Sequence, residues 1–200
     1  MARDLLGKKL VHRDGQGETS GLIVEAEAYA GRGDAACHSY KRGGPSGDHR
    51  TNVMFGPGGY AYVYLIYGMY NCFNVVANVE GEPEAVLVRA LEPREGIPVM
   101  IKRRSAHDVK KLCSGPGKLC MALGITRAHY GADLCATDVG ADSLFITDGE
   151  PAKNRILATP RINVDYAGEA ALLPYRFVLE KATIWASTTR PIRCTPRDRR

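Results

Sequence analysis

The sequence lacks the long hydrophobic runs that direct a chain to a membrane or anchor it there. The first ten residues contain no apolar stretch of signal-peptide length. The longest low-charge run, residues 55–79, is interrupted by five tyrosines, four glycines and a proline, whereas a membrane span needs about 20 mainly aliphatic residues. We therefore expect no membrane partner and a cytoplasmic location, with the nucleoid if the cell is bacterial.

Metal-binding and cofactor motifs are also missing. None of the six cysteines forms a Cys-x-x-Cys pair, and no two histidines stand at zinc-site spacing. The glycine-rich residues 56–59 precede a predicted strand instead of following one, which is not the dinucleotide-binding arrangement. Neither a nucleophile elbow nor a His-Glu-x-x-His motif occurs. We expect no metal, no cofactor and free, buried thiols.

The length and charge of the chain set broad bounds on its organisation. With 200 residues the chain is long enough for one domain with a substantial core, which we place over residues 1–200. The net charge of +5 suits a polyanionic partner, but an ordinary solvated basic surface would give the same value. The basic residues from Arg190 onward predict a frayed tail.

Short strands separated by turn-rich segments dominate the predicted secondary structure. Alternating, β-branched and aromatic patterns predict strands at residues 8–13, 21–29, 60–66, 72–79, 85–91, 143–147 and 175–179. The strands at 60–66 and 72–79 form a hairpin with Gly68 at its tip.

Two helices and a long polar loop complete the prediction. One helix runs over residues 92–104, with Pro93 in its first turn. The other runs over residues 116–123, capped by Ser114 and ended by Gly124. The polar residues 31–57 form a loop of a length that is often functional. The fold class is mixed α/β, α+β-like, in a single domain rich in antiparallel sheet.

Two carboxylates stand close to an aromatic ring on the predicted strand 21–29. Strand alternation turns Leu22, Val24, Ala26 and Ala28 towards the core, and it places Ile23, Glu25, Glu27 and Tyr29 on the other face. Paired acids beside a long loop suit general-base catalysis. A solvated strand face with ordinary acidic residues explains the spacing equally well, and spacing does not separate Glu25 from Glu27.

Tyrosines cluster in the predicted hairpin. Tyr60, Tyr62 and Tyr64 fall on one strand face, and the tip presents Tyr67 and Met69. Large aromatic or apolar side chains exposed at the tip of a hairpin indicate a surface that binds another molecule. One such interaction is insertion of the side chain as a wedge between two base steps of DNA. A tyrosine-rich sheet packed on a helix remains the alternative.

Two further features concern charge. Arg89 stands within the apolar run 85–91 and needs an anionic partner if it is buried, for which Glu25 and Glu27 are candidates; an outward-pointing arginine on an edge strand is the alternative. Residues 114–118 open a helix, so Ser114 and Lys118 are candidates to hold a DNA backbone phosphate.

Six ordered sequence blocks resemble those of one family, the alkyladenine (3-methyladenine) DNA glycosylases. Residues 2–7, 23–29, 36–39, 62–74, 88–93 and 112–120 read ARDLLG, IVEAEAY, ACHS, YVYLIYGMYNCFN, VRALEP and LCSGPGKLC. The resemblance implies a curved antiparallel sheet with flanking helices and a protruding β-hairpin. It also implies a base-excision-repair enzyme that flips alkylated or deaminated purines out of double-stranded DNA and hydrolyses their N-glycosidic bond.

The resemblance assigns the catalytic roles. Glu27 activates the attacking water, and Arg89 helps to hold that water together with the main-chain carbonyl of Val164. Tyr67, with Met69 beside it, fills the gap that the flipped base leaves in the duplex.

The resemblance also assigns the pocket. Tyr29, His38 and Tyr64 sandwich the flipped base, and Asn74 disfavours the binding of guanine.

No lysine stands in the pocket motifs, so we expect a monofunctional enzyme without strand cleavage, acting as a monomer. Residues 165–168 and the loop 41–50 depart from the family pattern, which leaves the lesion preference open. A non-catalytic nucleic-acid binder and a small-molecule acyl or formyl transferase are the rival interpretations.

Overall fold

The computed structural model describes residues 1–137, 140–150 and 155–182. The tail predicted from Arg190 onward lies outside these residues, as does Cys194. The eight strands are β1 (Lys9–Asp14), β2 (Gly17–Tyr29), β3 (Ala61–Ile66), β4 (Tyr70–Ala77), β5 (Glu84–Pro93), β6 (Ser143–Thr147), β7 (Ile156–Thr159) and β8 (Arg176–Leu179). The three α-helices are α1 (Ile97–Arg104), α2 (Val109–Leu112) and α3 (Pro116–Leu123).

One curled antiparallel sheet organises the fold. Its strands follow the order β3-β4-β5-β2-β1-β6, and β8 joins β2 to β7. The long strand β2 has three partners: β5 on one edge, and β1 and then β8 on the other. Because β2 changes partner along its length, the sheet bends into a half-barrel. The predicted fold class, a mixed α/β domain with a curved antiparallel sheet, flanking helices and a hairpin, is confirmed.

The bend coincides with an irregularity in β2. Its register against β5 shifts between Ile23 and Glu25 and again between Glu25 and Ala26, which is a β-bulge. Residues 19–27 are buried without interruption, and Ile23 packs in the same core as Val24 and Ala26. The strict two-face alternation expected for this strand is therefore wrong, and so is the alternative of a solvated face.

The helices cover one side of the sheet. α3 packs on β4 and β5, and α1 packs on α3. Met100, Leu112, Leu119 and Leu123 enter the main core, which also contains Phe73. Burial of each such side chain contributes roughly 1.5–3 kcal/mol. The helix expected at 116–123 is confirmed, and Gly124 ends it in the left-handed conformation at φ 77°.

Two local expectations are wrong, and two elements were not expected. The first helix begins at Ile97, because β5 continues to Pro93 and Gly96, at φ 72°, forms the N-cap. Ser114 does not cap α3: the N-cap is Gly115, and no side chain bonds there. The helix α2 and the strand β7 have no counterpart in the sequence-based prediction.

The other predicted strands are found with small differences at their ends. β2 begins at residue 17 and not at 21, because the tight turn lies at 15–16, while β6 has the expected bounds. The loop at 31–57 contains two short 3₁₀ turns. Four cysteines are free and buried as expected, but Cys135 is exposed. Within the described ranges, none of the helices has the length and hydrophobicity that a bilayer crossing requires.

Candidate active site

A cavity of about 810 Å³ opens between the β3–β4 hairpin, β5, the start of α3 and residues 162–166. Its lining includes seven of the predicted site residues, which come from distant parts of the chain: Tyr29, His38, Tyr64, Tyr67, Asn74, Arg89 and Lys118. The Glu27 side chain is fully buried and lies directly behind the wall formed by Tyr29 and Arg89. The structure therefore brings the predicted catalytic pair and the predicted base-binding residues to one place.

Three donors hold the carboxylate of Glu27. Oε1 accepts a hydrogen bond of 2.8 Å from the main-chain N–H of Ile162. Oε2 accepts one of 3.0 Å from the Tyr29 hydroxyl and one of 3.2 Å from Nη1 of Arg89. Because all three donors belong to residues that line the cavity, the carboxylate has a fixed orientation next to it.

Arg89 links the two acids of β2. Its Nε donates to Oε1 of Glu25 at 3.1 Å, and the same oxygen accepts a bond of 2.6 Å from Nε of Arg176. The two carboxylates and two guanidinium groups form one buried network of opposite charges. Each buried charge has an opposite partner, as a stable interior requires. Of the two orientations considered for Arg89, the inward one is found, and both candidate partners bind it.

The surroundings of Glu27 shift its acidity. Burial raises the pKa of Glu27, and this exceeds the opposing effects of Arg89, the Ile162 N–H and Tyr29. Burial and the neighbouring carboxylate likewise raise the pKa of the Tyr29 hydroxyl far above its ordinary value. Tyr29 therefore stays protonated and acts as a hydrogen-bond donor to Glu27.

Aromatic rings form one wall of the cavity. The rings of His38 and Tyr64 meet edge to face with centroids 4.7 Å apart, and Nδ1 of His38 lies 2.9 Å from the Tyr62 hydroxyl. Burial, followed by the charges of Arg50 and His49, lowers the pKa of His38 to about 4. The imidazole is therefore neutral at physiological pH.

Asn74 is fixed on the floor of the cavity. It pairs with Tyr62 across β3 and β4, and its side-chain amide donates a hydrogen bond of 3.0 Å to the Tyr62 carbonyl. This bond identifies the nitrogen end of the amide and keeps the side chain in one orientation. Val164 also lines the cavity, and its carbonyl accepts a bond of 2.9 Å from the N–H of Ala167, which leaves a second lone pair.

The hairpin tip projects away from the domain. Tyr67 is 75 % exposed and Met69 66 %, and only Tyr67 of the two lines the cavity. Tyr67 and Gly68 have φ of 53° and 70°, and the Met69 N–H bonds to the Ile66 carbonyl at 3.2 Å. Positive φ at both central positions defines a type I′ turn. A tyrosine in this conformation is strained, and such strain concentrates at functional sites.

The predicted phosphate-binding residues lie at the start of α3, beside the hairpin. Nζ of Lys118 is 3.4 Å from Oγ of Ser114. Gly117 lets the hairpin approach, because a Cβ there would be 3.1 Å from the Tyr70 side chain. Lys118 lines the cavity as well, because the fold brings the start of α3 against the hairpin. The motifs that supply the predicted base-binding residues contain no lysine, so the expectation of a monofunctional enzyme stays a prediction.

Sequence reasoning missed three residues of the site. Arg176 completes the buried network, and Arg161 forms a two-pronged ion pair with Asp34. The Arg161 guanidinium also lies 4.8 Å from the centroid of the Tyr29 ring and thereby supports that wall. The signal that marked Arg89, an arginine in an apolar strand, is also present in the sequence Arg-Phe-Val-Leu of β8 and could have identified Arg176.

Comparison with known proteins identifies the family. The model of the methylpurine-DNA glycosylase family matches residues 1–183, and the chain belongs to this family. The expected class of enzyme, a DNA glycosylase that hydrolyses N-glycosyl bonds, is thereby confirmed, and the substrate of that class is DNA.

Relatives from several organisms agree with this assignment. A protein of Methanocella arvoryzae is 53 % identical over 178 residues, which cover 88 % of this chain and 84 % of the relative. A Bacillus cereus protein is 48 % identical over 186 residues, covering 90 % and 89 %. An Anaeromyxobacter protein is 49 % identical over 180 residues, covering 90 % and 82 %. Each carries the name "Putative 3-methyladenine DNA glycosylase".

Proposed function

We propose that this protein flips an alkylated or deaminated purine out of double-stranded DNA and hydrolyses its N-glycosidic bond with a water activated by Glu27. The observation that carries the proposal is the position of the Glu27 carboxylate. It is buried, oriented by three donors, and lies behind Tyr29 and Arg89, which line an aromatic cavity of about 810 Å³ that is large enough to admit a purine.

Hydrogen-bond capacity supports the role of Glu27 in binding water. An ionised carboxylate accepts about four hydrogen bonds, and the protein supplies three. The remaining position takes one proton of the attacking water, while Arg89 and the second lone pair of the Val164 carbonyl position that water.

The reaction balances without a further reactant. The water oxygen bonds to C1′ of the sugar, the electron pair of the C1′–N bond leaves with the purine, and Glu27 takes the water proton. A cationic alkylated purine leaves as a neutral base, whereas a neutral purine such as hypoxanthine leaves as an anion and takes up a proton from solvent. The sugar becomes positively charged in the transition state, as in other glycoside cleavages. The negative carboxylate stabilises that charge while it acts as the base.

Aromatic groups offset the cost of extruding the base. Unstacking a base costs a few kcal/mol, and damaged or mispaired bases cost least. Tyr67 enters the gap in the duplex, with Met69 beside it. In the pocket, Tyr29, His38 and Tyr64 stack on the purine, a contact worth about 1–3 kcal/mol per base. A methylated, cationic purine gains about 0.5–2 kcal/mol more from the tyrosine rings.

The pocket floor discriminates between purines. Asn74 is held by the Tyr62 carbonyl and cannot turn away. It therefore clashes with the exocyclic amino group of guanine, which adenine derivatives and hypoxanthine lack at that position. Ser114 and Lys118, at the start of α3, hold a backbone phosphate at the edge of the cavity. We further propose that the enzyme acts as a monomer, in the cytoplasm with the DNA.

An excision assay on defined duplexes tests the proposal. Duplexes carrying hypoxanthine, ethenoadenine or an alkylated adenine are incubated with enzyme at one fixed salt concentration, because DNA affinity depends strongly on salt. We expect release of the free base and alkali-sensitive abasic sites from at least one duplex, with none from the undamaged control. Tight binding without release from any duplex would instead support the non-catalytic binder.

A further inference from the structure

Two histidines and an aspartate meet at a second cavity, of about 590 Å³, which shares no lining residue with the candidate active site. His12 belongs to β1, His129 ends the 3₁₀ turn Arg127–His129, and Asp142 directly precedes β6. The Nε2 atoms of the two histidines are 3.0 Å apart. Oδ1 of Asp142 lies 3.8 Å from Nε2 of His12.

The hydrogen bond at the far side of His12 prepares its Nε2 atom as a ligand. Nδ1 of His12 lies 2.6 Å from the carbonyl oxygen of Leu123. A carbonyl only accepts, so the proton of this buried imidazole is on Nδ1. Nε2 therefore carries a lone pair, and it points at His129 and Asp142.

The same arrangement is available to His129. Its Nδ1 is 3.2 Å from the carbonyl oxygen of Thr126. Histidines that bind metals commonly donate the other ring N–H to a carbonyl or carboxylate, which fixes the ring and raises its basicity. Both histidines of this cluster have such a carbonyl within reach of Nδ1.

From this geometry we infer a binding site for one divalent transition-metal ion of the zinc type, held by Nε2 of His12, Nε2 of His129 and a carboxylate oxygen of Asp142. Two imidazoles and a carboxylate are ligands that zinc accepts, with water in the fourth position. The three ligand atoms lie within 4.8 Å of one another. Zinc–ligand distances of about 2.0–2.1 Å place tetrahedral ligands about 3.3 Å apart. The two Nε2 atoms are 3.0 Å apart, Oδ1 of Asp142 is 3.8 Å from Nε2 of His12, and no separation exceeds 4.8 Å, so side-chain shifts of at most about 1.5 Å complete the site.

The metal-free form has its own hydrogen-bond pattern. Nδ1 of His129 accepts a bond of 3.1 Å from the Thr126 N–H, so its Nε2–H donates to Nε2 of His12. When the ion binds, the proton on Nε2 of His129 is released to solvent. Nδ1 of His129 takes up a proton and donates it in a hydrogen bond to the Thr126 carbonyl.

The bound ion joins three segments that are far apart in sequence: β1, the turn at 127–129 and the residue before β6. Its role is structural, because the cavity is separate from Glu27 and Arg89.

Spectroscopic titration with Co²⁺ tests this inference. Protein without an affinity tag is stripped with a chelator and titrated with Co²⁺, whose four-coordinate complexes absorb strongly in the visible range. We expect one Co²⁺ per chain, with an absorption that Zn²⁺ abolishes by displacement. We also expect Zn²⁺ to raise the Tm of the stripped protein.

Variants assign the ion to the three residues. Asp142→Asn changes an exposed side chain and leaves the fold intact, and His129→Gln changes a half-buried one. Each is expected to weaken Co²⁺ binding at least tenfold, whereas the control His107→Gln, at an exposed histidine elsewhere, binds as the wild type does. The inference is overturned if the wild type shows no four-coordinate absorption, or if both variants bind Co²⁺ as tightly as the control.

Discussion

Arg89 donates a hydrogen bond of 3.2 Å to Glu27, and the carboxylate that receives it is fully buried. The partners lie on adjacent strands, β5 and β2, so the sheet itself sets their distance. Burial nevertheless raises the pKa of Glu27 despite this cation. The carboxylate is thus held in place but remains a stronger base than an exposed glutamate, which is the property that general-base catalysis needs.

Glu27→Gln should separate binding from catalysis. The amide keeps the size of the side chain but cannot accept the water proton. We expect single-turnover excision to fall by at least about 100-fold, the usual contribution of a general base, while the affinity for a lesion-containing duplex stays within a few-fold of wild type. The control Glu80→Gln, at an exposed carboxylate, should excise normally. An excision rate of Glu27→Gln equal to that of the wild type would contradict the proposed mechanism.

The same substitution has a consequence for stability. A group whose pKa rises on folding stabilises the fold in its protonated form, and that stabilisation is lost as pH increases through the folded pKa. Ionised Glu27 therefore lowers the free energy of unfolding at neutral pH. We expect Glu27→Gln to be at least as stable as wild type in urea unfolding at pH 7. A large loss of stability would show that the bond to Arg89 outweighs burial.

The pH dependence of excision should show one acid limb set by Glu27. The ionised form is the base, so the rate falls as pH decreases through its pKa. Because burial raises that pKa, the midpoint should lie above the ordinary glutamate value of 4.5. The pKa of His38 is about 4, so His38 titrates at lower pH. Single-turnover rates, with circular dichroism to confirm folding at each pH, check this; a midpoint below 4.5 contradicts it.

Tyr67 offers an unusually clean test of base flipping. Asn-Gly is the preferred pair for a type I′ turn, so Tyr67→Asn removes the ring and relieves the strain at φ 53°. We expect normal or increased thermal stability, with a marked loss of excision on duplex DNA and a smaller loss on single strands. Equal rates for variant and wild type on duplex DNA would refute the wedge. Gain of stability with loss of activity cannot be attributed to misfolding.

Arg176→Met should destabilise the fold. It leaves Glu25 with Arg89 as a partner but removes the bond of 2.6 Å from Arg176, which is shorter than the bond of 3.1 Å from Arg89. Removing one partner from a buried ion pair costs about 3–5 kcal/mol, measurable by urea unfolding. The comparison variant is Arg94→Met, whose partly exposed pairs with Glu92 and Glu150 should contribute no more than about 1 kcal/mol. Similar losses of stability in both variants would contradict the expected contribution of the buried network to the free energy of unfolding.

Local patterns in the sequence were sufficient for much of the fold. Alternation and turn residues predicted the hairpin around Gly68, and the Gly124 stop predicted the end of α3. These features depend on neighbours within a few residues, which the sequence displays directly. The first helix was misplaced because Pro93, a residue common in first helical turns, instead ends β5.

Long-range pairing could not be predicted in this way. Spacing did not separate Glu25 from Glu27, since the distinction depends on the Ile162 N–H and the Tyr29 hydroxyl that reach only Glu27. The pairing of β8 with β2, which brings in Arg176, joins residues about 150 positions apart. The contact between His12 and His129 is also a long-range contact, so the spacing of residues along the sequence does not predict it.

The contacts of β2 with the end of the chain bear on biosynthesis. Glu27 and Arg89 leave the ribosome early, but the N–H that orients Glu27 belongs to Ile162, and the cation that balances Glu25 belongs to Arg176. A nascent or truncated polypeptide that stops before Ile162 retains the bonds of Glu27 to Tyr29 and Arg89 but lacks the Ile162 N–H and the Arg176 guanidinium. Under the proposed mechanism, such a fragment lacks the complete set of groups that orient Glu27, and we expect it not to excise bases before synthesis is finished.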